Sequence, residues 1–220
     1  MNHQIDTKIS TLLNWDEVRN SVYPVLASPV MEKSGQLQEL VNTDFLDMKV
    51  IYTIWLRKDG LEAGYIRISQ ALFEHYKISI EELHRQALKN LNKDGYCLRD
   101  MKAILGELKG MKEGEAQPSA EESEIEAGKM FVLTNKDRMY GAAGILNRTI
   151  LREQCHGKSF YILPSSVHET IFIPFVEEID QTELDHMVSE INREQVIPEE
   201  RLTSHSYFYD GQADEIRISA

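Results

Sequence analysis

Five consecutive residues, Ser165-Ser166-Val167-His168-Glu169, hold the parts of a hydrolytic triad: hydroxyl, imidazole and carboxylate. Their spacing argues against that use. In an extended chain Ser166 and His168 lie on one side, about 6.5–7 Å apart, and Glu169 faces the other way. A nucleophile and its base must approach to roughly 2.6–3.2 Å. No G-x-S-x-G elbow surrounds either serine. Turn chemistry is the competing reading. Pro164 ends a strand, Ser165 or Ser166 binds free backbone groups, and His168 and Glu169 anchor the return strand. Ser165, Ser166, His168 and Glu169 are the catalytic candidates, and a structural turn is the expectation.

A second stretch, Thr134-Asn135-Lys136-Asp137, joins a strand to a helix, a junction that can cradle an anion on backbone N–H groups. Gly141 and Gly144 lack the G-x-G-x-x-G or Walker spacing, so a plain loop is expected, with Gly141 easing close packing. Both stretches sit at strand ends. Asn135, Ser166 and His168 are therefore expected in one small polar cluster at one edge of a C-terminal sheet. They are the candidate binding residues.

Metal chemistry is weakly signalled. The histidines are His3, His75, His84, His156, His168, His186 and His205, and none makes an HExxH or H-x-H spacing. A site assembled in space from His168, Glu169 and His205 is the one metal alternative. The ligand-spacing rules favour histidines at element ends, so no metal and no cofactor are expected. Cys97 and Cys155 make no CxxC and read as reduced thiols of a cytosolic protein.

Charge narrows the partners. The 220 residues carry a net charge of -12, which repels phosphate backbones. The aromatic stretch Ser206–Tyr209 offers stacking surfaces, but with this charge it reads as packing rather than RNA recognition. No window approaches the roughly 20 apolar residues of a membrane span. MNHQIDTKIS has no apolar run, so no secretory signal is expected. These features describe an acidic cytoplasmic protein whose partners are proteins or small molecules, not nucleic acid or membrane.

The positioning elements follow from periodicity. Residues 9–23 have helical spacing ending at or before Pro24. Residues 24–45 are ambiguous: PVLASPV, with two prolines, fits an extended arm, and GQLQELVNTDF fits an edge strand or a helical turn. MKVIYTIWLR, from Met48, has strand composition, Lys58-Asp59-Gly60 is a turn, and a hairpin over 48–68 follows. Helices are expected from Ser69 or Gln70 to Tyr76, from Ser79 to about Leu91 with a capping-box start, and over about 98–110. Residues 113–128 hold six Glu and no Lys or Arg, and read as a solvated linker that can be deleted at little cost.

Beyond Lys129, strands are expected over 130–134, 159–163, 170–175, 205–209 and 215–219, with helices over 141–154 and 180–195. Continuous apolar character in FYIL and TIFIP places both strands centrally, covered on both faces. The fold class is α+β: an N-terminal helix, β-hairpin and helices, then a C-terminal β-α-β-β-α-β unit in ferredoxin-like order with an extra terminal strand. The division is 1–112, a linker at 113–128, and 129–220.

Several segments are familiar in the same order: WDEVRNSVYPVL, FLDMKVIYTIWL, ISIEELHRQALKN, MFVLTN followed by YGAAGIL, FYILPSSVHETIFIP, and INREQVIPEERLTSHSYFYD. They span almost the whole chain. On these residues the chain resembles an uncharacterised bacterial family, a domain of unknown function frequent in anaerobic gut bacteria. FYILPSSVHE is its most specific motif. The resemblance implies a single-unit architecture and no mechanism. In that family a small-residue stretch ending in tyrosine-proline is expected after GAA, where GILNRT stands here. The functional expectation is a non-catalytic cytosolic binding or protein-interaction module. The alternative is a hydrolase-like enzyme using Ser165 or Ser166 with His168.

Overall fold

The computed structural model describes residues 11–58, 61–108, 120–121, 125–164, 166–177 and 179–219. Helix and strand are mixed and the sheets are antiparallel, as the α+β expectation required. Among the described residues no helix is long and apolar enough to cross a membrane. The chain divides into two compact units, residues 1–93 and 94–220.

In the first unit, helix α1 (Trp15–Val18) gives way to a 3-10 turn, and strand β1 (Val22–Ala27) follows. The expected helix over 9–23 is therefore cut short. Val22, Tyr23 and Val25 are buried by pairing with the centre of β3 (Met48–Lys58), and that pairing overrides local helical spacing. Pro24 is accommodated because β1 pairs with β3 alone and is an edge strand. The other side of β3 pairs first with β2 (Asn42–Phe45) and then with β4 (Leu61–Arg67). The expected hairpin is β3–β4; its turn residues Asp59 and Gly60 lie outside the described residues.

Helix α2 (Pro29–Lys33) lies between β1 and β2. Helices α3 (Gln70–Tyr76) and α4 (Ile80–Leu91) complete the unit. Ser79 caps α4 by accepting from Glu82 N at 3.2 Å. Leu83, Ala87 and Leu91 form the buried face of α4. Buried Asn90 donates to Arg19 O at 2.7 Å and Val22 O at 2.8 Å, tying α4 to the entry of β1.

In the second unit β5 (Cys97–Asp100) replaces the first turn of the helix expected over 98–110. It pairs with β6 (Phe131–Thr134), and α5 starts only at Met101, running to Leu108. Asp100 accepts from Lys102 N at 2.7 Å and so caps that later start. The second compact unit begins at residue 94, before β5.

The expected helix over 141–154 is also split. Residues Gly141–Leu146 form a 3-10 helix, and Asn147, at φ -109° and ψ 105°, breaks it. Asn147 then caps α6 (Arg148–Cys155) by accepting from Thr149 N at 2.9 Å. Strands β7 (Phe160–Leu163) and β8 (Thr170–Pro174), helix α7 (Gln181–Gln195), and strands β9 (Tyr207–Asp210) and β10 (Glu215–Ile218) complete the unit.

The sheet order is β10-β9-β7-β8-β6-β5. Both β7 and β8 are central, which accounts for their unbroken apolar runs. Ile171, Ile173 and Leu163 pack under Leu184 and Val188 of α7. Phe131, Phe160 and Phe172 pack edge to face on the opposite side. A ferredoxin-like sheet sets its fourth strand beside its first. Here the corresponding strand, β9, lies beside β7, because the outer edge of β6 is already paired with β5.

The acidic stretch is not wholly solvated. Ala120 and Ile125 are each 6% exposed. Ala120 N donates to Leu98 O at 2.6 Å, and Lys158 Nζ donates to Ile125 O at 3.1 Å. These contacts correct the expectation that 113–128 buries almost nothing; residues 113–119 and 122–124 lie outside the described residues.

Candidate functional site

The loop leaving β6 must reverse over few residues, and Asn135 makes that reversal. Its Oδ1 accepts from Met139 N at 3.0 Å and its Nδ2 donates to Met139 O at 2.8 Å. The amide thereby supplies both partners that a neighbouring strand would supply. Arg138 and Tyr140 adopt left-handed φ of 52° and 53° to complete the turn.

The β7–β8 turn is closed by Ser166. Its Oγ accepts from His168 N at 3.1 Å and Glu169 N at 3.3 Å. The two loops are then laced together. Tyr140 N donates to His168 Nδ1 at 3.2 Å, Thr134 Oγ1 donates to His168 O at 3.1 Å, and Ala142 N donates to Val167 O at 3.3 Å. Gly141 sits where they touch. A Cβ there would lie 2.6 Å from His168 O and 2.9 Å from Asn135 N. The lack of a side chain at Gly141 is what lets the loops approach.

A third segment reaches the same edge. Val167 N donates to Glu200 O at 2.8 Å, and Ser166 pairs with Arg201 across an isolated bridge. His168 Nε2 lies 3.4 Å from Glu200 Oε1. Because His168 Nδ1 accepts a backbone N–H, the neutral ring carries its proton on Nε2, toward that carboxylate. The Tyr140 ring lies 5.4 Å from the imidazole.

Asn135, Ser166 and His168 thus stand at one end of one sheet. Asn135 holds its own loop, and its side-chain bonds go to Met139 rather than to the other two residues. Ser166 Oγ binds backbone N–H groups, and His168 Nδ1 binds another. Glu169 joins this turn through its backbone N–H, which donates to Ser166 Oγ. Ser165 lies outside the described residues. Glu200 was missed by sequence reasoning, since only the docking of residues 198–201 against the turn brings it near.

The metal alternative is not assembled. His205 bonds Ser206 O at 3.3 Å and packs on the Tyr207 ring. Among the described residues no group of three His, Cys, Asp or Glu is placed to hold a metal ion. Cys97 and Cys155 are free thiols, and burial pushes both upward, away from the reactive thiolate.

A second feature lies on the α7 face of the same sheet. A cavity of about 430 Å³ opens where the N-terminus of α7 leaves the sheet. Its floor is aromatic: Tyr161, Phe175 and Phe208 meet with centroids 5.2–5.6 Å apart. The Arg217 guanidinium stands 4.7 Å over the Phe208 ring. Sequence reasoning noted Phe208 as a stacking surface but missed the cavity. Tyr161, Phe208 and Arg217 become neighbours only through the register of β7, β9 and β10.

The fold defines an α+β protein with antiparallel sheets. The chain belongs to a family of unknown function (DUF5688), whose model matches residues 1–211. No curated protein and no solved structure matches it.

Proposed function

We propose that this chain is a cytoplasmic bacterial binding module without catalytic activity, acting on a protein segment or a small molecule. One observation carries the reading. Both Ser166 Oγ and His168 Nδ1 are engaged by backbone N–H groups, so the serine and the imidazole close a turn instead of facing each other. A working nucleophile needs its base within hydrogen-bond reach. The net charge of -12 argues against nucleic acid as the partner.

The competing reading is a hydrolase-like enzyme using Ser165 or Ser166 with His168. A serine-reactive fluorophosphonate probe separates the two. The binding-module reading expects no specific labelling of the folded chain. Stoichiometric labelling that disappears in Ser166→Ala or Ser165→Ala overturns it.

A further inference from the structure

We propose that the cavity at the N-terminus of α7 binds a carboxylate ligand with an aromatic or branched apolar body. The proposal rests on the binding-module reading and names the ligand class for it. Four features converge there. The Tyr161, Phe175 and Phe208 rings give a floor for an apolar body, and Phe175 is 42% exposed. The Arg217 guanidinium stands 4.7 Å over the Phe208 ring, and its planar fork of donors suits a two-pronged carboxylate bond.

Ser219 lines the cavity, and its Oγ is buried with no hydrogen-bond partner among the described residues. A buried hydroxyl without a partner is uncommon, and a ligand acceptor would satisfy it. Gln181 lines the same wall and donates to Ser219 O at 2.8 Å. The N-terminus of α7 adds a partial positive charge at the same wall. A cavity of about 430 Å³ suits a small molecule.

Asp180 also lines the cavity and works against a carboxylate. Its Oδ1 accepts from Thr182 N at 2.9 Å as the helix cap. Asn caps helices as well as Asp does, so Asp180→Asn removes the charge and keeps the helix start.

The test is a titration of the full chain, followed by amide NMR, with phenylacetate and, separately, phenethylamine. Phenylacetate should saturate in the millimolar range, shifting residues 175–182 and 207–219, and the amine should not bind. Arg217→Gln should weaken phenylacetate about tenfold or more, and Asp180→Asn should tighten it several-fold. Ser219→Ala should weaken it while leaving the melting temperature unchanged or raised, since an unsatisfied hydroxyl is removed. Equal binding of the amine, shifts elsewhere, no saturation by about 20 mM, or indifference to Arg217→Gln overturns the proposal. Failure here with no fluorophosphonate labelling removes this ligand class alone. Specific labelling removes the binding-module reading, whatever the titration gives.

Discussion

Tyr140, at a φ of 53°, donates its backbone N–H to Nδ1 of His168 at 3.2 Å. This bond joins the loop after β6 to the turn between β7 and β8. It fixes the imidazole so that Nε2 faces Glu200. Such an imidazole cannot also serve as the base for Ser166 without breaking the loop contact.

Gly141 should be intolerant of a side chain. Gly141→Ala would place Cβ 2.6 Å from both His168 O and Thr134 Oγ1. One of these is backbone and cannot swing away, so the loops must separate. Urea unfolding should show a loss of about 2 kcal/mol or more. A change within about 0.5 kcal/mol would mean that the loops are not in contact there.

Ile125 should behave as a core residue despite its acidic surroundings. It is 6% exposed, and its carbonyl accepts from Lys158. Ile125→Ala should cost about 2–4 kcal/mol in equilibrium unfolding. A cost near zero would restore the plain solvated linker.

The first unit should lose stability at both ends of the pH range. Tyr52 OH lies 2.8 Å from His84 Nδ1 and 2.9 Å from Thr43 Oγ1. Burial holds His84 below its ordinary 6.5, so below about pH 6.5 the unfolded chain takes a proton that the folded chain resists. Stability therefore falls on acidification. Burial pushes Tyr52 up to about 12 from 10.0, so between those values the unfolded chain loses a proton that the folded chain keeps. Stability falls again as pH rises. Tyr76 is also pushed up to about 12 by burial, so Tyr52→Phe should shrink the alkaline loss without abolishing it. A flat profile from pH 5 to 11 in thermal melts would contradict this account.

What was legible in the sequence was what local chemistry decides. FYIL and TIFIP announced central strands because only strands covered on both faces are apolar throughout. Ser79 and Asp180 announced helix starts and are caps. What was hidden depends on tertiary pairing. Cys97–Asp100 sits beside helical spacing, yet becomes a strand because the edge of β6 needs a partner. Val22–Ala27 does the same against β3. The candidate turn was visible as a cluster of polar types. Its third side, Glu200, and the aromatic cavity were not, since both arise from segments distant in the chain.

The central claim is that Ser166 closes a turn. Ser166→Ala removes the acceptor of two backbone N–H groups, those of His168 and Glu169, at a residue that is 8% exposed. The most direct measurement is the unfolding free energy of that variant against the parent chain in urea. The account predicts a loss on the order of 1–2 kcal/mol with unchanged cooperativity. Unchanged stability, together with loss of fluorophosphonate labelling present in the parent chain, would contradict it and make Ser166 a nucleophile.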